Sequence, residues 1–144
     1  MTKDVIVTIE GLQFGEGQTE EELDQIKTIC PGQFYEPKDS KYVTYEELIE
    51  ETGESISNRI KIKKDEITVT KKGAFQVQMI FELGKKTMTE YSTPFGKILL
   101  AMDTEALTVS EKEDEIDIYI KYALEANYQF VADCEIKINI KAKK

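Results

Sequence analysis

Hydrophobic and polar residues alternate with a period of two over the C-terminal part of the chain. The apolar positions are Ile116, Ile118, Ile120, Tyr122 and Leu124, followed by Phe130, Ala132, Cys134, Ile136, Ile138 and Ile140. The positions between them are mostly charged, as at Asp117 and Glu135. Because successive side chains of a strand point to opposite faces of a sheet, the pattern predicts a long hairpin of strands 116–124 and 130–140 with one buried face.

The middle of the chain repeats this alternation in shorter runs that end at turn residues. The runs are Ile60 and Ile62; Ile67 and Val69; Phe75, Val77, Met79, Phe81 and Leu83; and Thr87, Thr89, Tyr91 and Thr93. The turns are Lys64-Asp65, Lys72-Gly73, Gly84-Lys85 and Pro94-Phe95-Gly96. Short strands joined by tight turns are typical of a meander. Segment 98–102 is apolar on both faces, which predicts a strand that is covered on both sides or that crosses a packed end.

The first third of the chain leaves two alternatives open. Val5, Val7 and Ile9 predict a strand, and so does segment 42–45. Segment 19–30 fits a helix, since Thr19 and Glu22 have capping-box spacing, or a loop followed by a strand ending at Cys30. Segment 46–53 poses the same question, and we favour strand with at most one helical turn around Glu50.

These patterns, over a chain of 144 residues, predict one domain, 1–144, with an all-β fold. The expected architecture is a single closed antiparallel up-and-down β-barrel of about 8 to 10 strands. The net charge of −9 argues against nucleic acid and anionic membranes as partners. The N-terminal apolar stretch is too short for a signal peptide, so we expect a cytoplasmic protein. The short lysine groups, including Lys71-Lys72, are interpreted as solvated faces.

Residue types exclude most catalytic classes. The chain has no histidine, which removes Ser-His and Cys-His nucleophile systems and His-ligated metals. No phosphate-binding glycine motif or EF-hand loop is present. Cys30 and Cys134 lack metal-type spacing and are expected to be free thiols, with Cys134 a small core residue. We therefore predict a protein that is not an enzyme and has no metal, no cofactor and no catalytic residue.

Six residues on successive predicted strands form a candidate ligand site. They are Tyr45, Glu46, Arg59, Lys61, Tyr91 and Tyr122, and Arg59 is the only arginine in the chain. Polar groups on the inner face of a barrel can orient a small ligand, here a mostly apolar one. Such groups can equally pair across strands and determine register. The alternative function is an interaction or accessory protein that acts through its outer surface. Ligand identity and oligomeric state stay open.

The order and spacing of several short motifs resemble those of the YwiB-like family of uncharacterised bacterial proteins. The motifs are Tyr42-Val43-Thr44-Tyr45-Glu46-Glu47, Ile60-Lys61-Ile62, Lys72-Gly73 followed by Met79 and Phe81, Tyr91 with Phe95-Gly96, and Tyr122. The resemblance covers almost the whole chain and implies a lipocalin-like barrel of the calycin superfamily. The family often has arginine where this chain has Lys71 or Lys72. The resemblance implies no activity.

Overall fold

Every regular element that we describe is a β-strand. The computed structural model describes residues 3–11, 27–37, 40–48, 53–73, 76–93 and 96–143. The strands are β1 (Asp4–Glu10), β2 (Lys27–Tyr35), β3 (Lys41–Leu48), β4 (Ser55–Ile62), β5 (Glu66–Lys72), β6 (Val77–Glu82), β7 (Lys86–Thr93), β8 (Gly96–Lys112), β9 (Glu115–Ala126) and β10 (Gln129–Ala142). No helix in these ranges is long and apolar enough to cross a membrane.

The ten strands form one antiparallel sheet that curves into a nearly closed barrel. The order is β6-β5-β4-β3-β2-β1-β10-β9-β8-β7, so β1 pairs with β10 and the first and last strands lie side by side. The seam lies between the consecutive strands β6 and β7. There the described residues form an isolated bridge, Gln76 to Ser92, and the Thr87 hydroxyl donates a hydrogen bond to the Ile80 carbonyl. The predicted all-β up-and-down barrel is confirmed.

The C-terminal hairpin provides much of the buried interior. Ile120 lies opposite Ile136 and Ile118 opposite Ile138, and all four side chains are buried. The turn between β9 and β10 has positive φ at Asn127 and Tyr128, which matches the right-handed twist of the strands. The period-two prediction for this hairpin is confirmed, because one face of each strand packs into the barrel.

Two residues depart from the predicted faces. Phe130 was expected to be buried and is 63% exposed. The register of β10 against β9 shifts between Phe130 and Ala132, and this bulge places Phe130 opposite Glu125. Leu83 was expected to continue the buried run of β6, but it lies in the turn before β7 and is exposed. The prediction is therefore wrong at both positions.

The first half of the chain supplies the opposite wall of the barrel. Residues 27–30 begin β2, which confirms the strand alternative there, whereas residues 19–26 and the turn around Glu50 lie outside the described residues. Phe75 lies outside them as well. At Gly32 a Cβ would lie 2.7 Å from the Thr44 carbonyl oxygen and 3.0 Å from Val7 Cγ2. Glycine at this position therefore lets β2 pack closely between its neighbours.

Strand β8 shows the double burial predicted for its apolar segment. Leu100, Ala101 and Met102 are consecutive and all three are buried. A strand with only one face covered would expose the middle residue of such a triplet. Both faces of β8 are therefore covered at these three residues, as the first alternative for segment 98–102 predicts, whereas Ile98 and Leu99 are half-buried.

Candidate functional site

One row of residues on the inner face of the barrel contains a polar group on three adjacent strands. The cross-strand register of β2 to β6 places Gly32, Tyr45, Asn58, Lys71 and Val77 side by side in that order. We call these five residues the inner polar row. Tyr45, Asn58 and Lys71 are each at most 5% exposed. Most buried polar groups in proteins have an internal hydrogen-bond partner.

Lys71 is the charged centre of the inner polar row. Its Nζ lies 2.8 Å from Glu47 Oε1 and 2.8 Å from Asn58 Oδ1. Asn58 in turn donates from Nδ2 to the Ile56 carbonyl at 3.1 Å. The interpretation of Lys71 as a solvated lysine is wrong, because it has the same inward parity as Ile67 and Val69 on β5. A buried ammonium is stable here because a carboxylate and an amide oxygen replace its water shell.

Tyr45 is the unsatisfied member of the inner polar row. Its hydroxyl is buried and has no hydrogen-bond partner among the described residues. Burial is the main cause that raises the pKa of Tyr45, and the nearby Glu47 and Cys30 add to it. Burial also raises the pKa of the Cys30 thiol, Glu47 raises it further, and Lys71 acts in the opposite direction. Both groups therefore keep their protons to higher pH than an exposed tyrosine or cysteine does.

The six predicted site residues do not converge. Tyr122 is buried, and the centroid of its ring lies 4.9 Å from that of Phe81. Phe81 is on β6, four residues after Val77 of the inner polar row, and its side chain also points inward. Tyr91 is half-buried against the core. Glu46, Arg59 and Lys61 alternate with buried neighbours and point to the outer face. The structure thus places the three tyrosines inside the barrel and the three charged residues outside it.

The outer surface over β2 to β5 forms a cleft of about 620 Å³. Its lining residues are Pro31, Gly32, Gln33, Thr44, Tyr45, Glu46, Ser57, Asn58, Arg59, Thr70 and Lys72. A second cleft of about 380 Å³ shares Arg59, Thr70 and Lys72 and extends across the seam to Thr89 and Ser92 of β7. We call the larger of these two, the cleft of about 620 Å³ over β2 to β5, the outer cleft. It contains Glu46 and Arg59 from the predicted site.

Arg59 lies where the two clefts meet. Its Cζ is 5.7 Å from the ring centroid of Tyr42, and Lys61 Nζ lies 5.8 Å from the same centroid. Within the described ranges, the Arg59 guanidinium has no carboxylate and no hydrogen-bond acceptor as a partner. The nearby Glu46 instead accepts a hydrogen bond from the Ser57 hydroxyl at 2.8 Å. The ring holds the side chain in place while its donors stay available.

Sequence reasoning named Tyr45 but missed Asn58 and Lys71 of the inner polar row, although a signal for both exists. Asn58 interrupts the inward series of Ile56, Ile60 and Ile62, and Lys71 ends the series of Ile67 and Val69. A polar residue at an inward position of an otherwise apolar series indicates an internal polar contact. No comparable signal marks the hydroxyl and amide groups of the outer cleft, because polar residues are ordinary on an outer face.

The fold and the site together define a class of protein: a small antiparallel meander barrel with large side chains inside and a polar cleft on its outer wall. The chain belongs to the family described as a domain of unknown function, DUF1934, whose model matches residues 7–138. No curated protein matches the chain. The family predicted from the motifs is therefore confirmed, and it carries no assigned activity.

A solved structure supports the fold. The crystal structure of the ywiB protein from Bacillus subtilis is similar with a TM-score of 0.78 and 18% sequence identity, over 99% of this chain and 93% of that one. At this identity the likeness shows the fold alone. Membership of a lipocalin-like superfamily stays a prediction.

Proposed function

We propose that this protein is a non-enzymatic binding protein that holds a small anionic molecule in the outer cleft, with the anion on Arg59. The observation that supports this most is the state of the Arg59 side chain. It is positioned against Tyr42, and none of its donors is engaged by a described residue. A planar guanidinium with free donors binds a carboxylate or phosphate through two parallel hydrogen bonds.

The surroundings of Arg59 favour anion binding. Lys72 lines the same cleft, and it has no carboxylate partner among the described residues. The side chains of Ser57, Thr70 and Gln33 add hydroxyl and amide groups to the lining. Because the ring of Tyr42 already restricts Arg59, little further side-chain entropy is lost when the anion binds. Arg59 and Lys72 are the two cations of the lining and Glu46 is its carboxylate, so the lining has a net positive charge on a protein whose overall net charge is −9.

The cleft supports binding better than turnover. Its carboxylate, Glu46, is engaged by Ser57 rather than aligned with a nucleophile. Tyr45, whose pKa is raised, has its hydroxyl buried in the inner polar row. A nucleophile and a base within hydrogen-bond reach are the usual signature of covalent catalysis, and the described part of the cleft offers no such pair.

Calorimetric titration with inorganic phosphate and with acetate tests this proposal. We expect the wild-type protein to bind phosphate, and the Arg59→Gln variant to bind it at least tenfold more weakly. Lys141→Gln is a matched control, because Lys141 is an exposed cation on β10, away from the cleft. Equal weakening by both variants would mean that phosphate responds to net charge and would overturn the proposal. Absence of phosphate and acetate binding to the wild type would also overturn it.

A small apolar ligand inside the barrel is the second candidate. The observation that favours it is the buried hydroxyl of Tyr45, which has no hydrogen-bond partner in the described ranges and could orient a polar group. The packing gives it less support, because Met79, Phe81 and Met102 are fully buried in the interior. A thermal-shift screen with fatty acids tests it. Stabilisation that Tyr45→Phe abolishes would support this candidate, and no stabilisation by any compound would eliminate it.

A further inference from the structure

We propose that the ligand of the outer cleft is an aromatic anion, whose planar ring stacks on Tyr35 and Tyr42 while its acidic group binds Arg59. This inference rests on the proposed function and narrows it to one chemical class. The main observation that supports it is a pair of stacked tyrosines on the outer face. Their ring centroids are 5.3 Å apart and their planes differ by 11°.

The tyrosine pair and Arg59 belong to one continuous surface. Tyr35 lies opposite Tyr42, and Tyr42 lies opposite Lys61. In the neighbouring outward row, Gln33 lies opposite Thr44, and Thr44 lies opposite Arg59. The outward neighbours of the two rings along β2 and β3 are therefore lining residues of the outer cleft. A ligand in the cleft reaches the rings without leaving the surface.

The distances suit a molecule of the size of a nucleoside monophosphate. The Tyr35 and Tyr42 centroids are 5.3 Å apart, and Arg59 Cζ is 5.7 Å from the Tyr42 centroid. The distance from Arg59 Cζ to the Tyr35 ring centroid is therefore at most the sum of these two distances. An acidic group joined to a ring by a short spacer covers such a span. An anion without a ring engages Arg59 and leaves the tyrosines unused.

The tyrosine pair is available to a ligand. Tyr35 is 39% exposed, so part of its surface is open, and its position is held by Tyr42. Tyr42 is itself flanked by the two cations Arg59 and Lys61. Stacking on a restrained ring costs little side-chain entropy, and it tolerates many ring types because each presents a π-face. The ring thus contributes affinity, and the cations orient the acidic end.

Nucleoside phosphates and aromatic carboxylates share this chemistry, and the probes separate them. We would titrate the protein with AMP, adenosine, inorganic phosphate, 3-phenylpropionate and acetate in the calorimeter. AMP binding more tightly than both adenosine and phosphate, with 3-phenylpropionate no tighter than acetate, would identify a nucleoside phosphate. 3-Phenylpropionate binding more tightly than acetate, with AMP no tighter than phosphate, would identify an aromatic carboxylate.

Two variants test the ring contact directly on the tighter of the two aromatic anions. Tyr35→Leu should weaken that anion by roughly tenfold, while phosphate binding stays unchanged. Tyr35→Phe keeps the ring and is the matched control, so it should retain the affinity. Unchanged affinity of Tyr35→Leu would overturn the inference.

The inference and the proposed function fail in different ways. If phosphate or acetate binds through Arg59 but neither aromatic anion binds more tightly than its ring-free counterpart, the proposed function stands and the inference is wrong. If none of the anions binds, or if Arg59→Gln leaves their affinities unchanged, both are wrong. Thermal unfolding of each variant confirms that the comparison is made on folded protein.

Discussion

Positively charged side chains are buried and paired on the inner face of the strands, whereas they are exposed on the outer face. Lys71 and Lys72 are consecutive on β5, yet Lys71 is 5% exposed and ion-paired whereas Lys72 is exposed and lines the outer cleft. On β4, the neutral Asn58 contacts Lys71 inside the barrel, whereas the cation Arg59 lies outside and has no ion-pair partner among the described residues. Water solvates an exposed cation, but a buried one needs a partner. The buried charges therefore serve stability, and the exposed ones are free to bind.

The largest expected effect concerns the apolar interior that surrounds the inner polar row. Ile120 is fully buried and packs opposite Ile136. Ile120→Ala should lower the free energy of unfolding by about 2–5 kcal/mol, because it removes buried apolar atoms and leaves a cavity. Urea unfolding measures this. Met88→Ala, at an exposed position, is the control and should change stability by less than about 0.5 kcal/mol.

A slightly smaller effect is expected from the buried charge. Lys71→Ala should cost about 2–3 kcal/mol in urea unfolding, because Glu47 and Asn58 lose their partner. This loss of stability is smaller than the loss expected when a fully buried ion pair is broken, because the Glu47 side chain is 26% exposed and water can reach it. Lys72→Ala should cost less than about 0.5 kcal/mol. Equal losses for the two lysines would contradict the contrast between the faces.

A double variant sharpens this prediction. Lys71→Met with Glu47→Leu replaces the pair by apolar groups of similar volume. It should be more stable than either single variant, because no charge is left unpaired inside the barrel. A double variant that is less stable than both single variants would contradict this prediction, because the two side chains would then contribute to stability independently.

The pH dependence of stability tests the environment of Tyr45. Because burial and Glu47 raise the pKa of Tyr45 from its usual 10.0, the folded protein keeps the phenolic proton at pH values where the unfolded chain has lost it. The stability that Tyr45 contributes is complete below about pH 10 and falls as the pH rises above it. Tyr45→Phe should therefore reduce the loss of stability between about pH 9 and pH 11.

The control for this experiment is Tyr128→Phe. Tyr128 is 77% exposed, so the loss of its hydroxyl should leave the stability of the fold almost unchanged. The pH profile of this variant should follow that of the wild type in urea unfolding. Matching profiles for Tyr45→Phe and wild type would mean that the Tyr45 phenol is not held neutral by the fold.

The smallest effect concerns the two thiols, Cys30 and Cys134, neither of which forms a disulfide bond with a described residue. Cys30 is half-buried with a raised pKa, whereas Cys134 is 8% exposed. Iodoacetamide should modify Cys30 more slowly than an unperturbed cysteine, since the thiolate is the reactive form. Cys134 should react only after unfolding. Mass analysis of partly labelled protein measures both rates, and faster labelling of Cys134 would contradict the assignment of faces.

Much of the fold follows from local alternation, and the site follows from it only in part. The parity of Ile116 to Leu124 assigns an inner and an outer face without any knowledge of the partner strands. By the same alternation, Arg59 points outward and its neighbour Ile60 points inward. The bulge that exposes Phe130 was not predictable in this way, because it depends on how β10 aligns with β9.

The sequence by itself determined which side chains share a face and where the chain turns, because both depend on neighbouring residues alone. Only the tertiary structure decided which faces meet. Lys71 and Glu47 are 24 residues apart and become an ion pair through the register of β3, β4 and β5. Arg59 reaches the ring of Tyr42 through the same register. Register and barrel closure are long-range properties, since they depend on how all the strands pack together, and no local pattern contains them.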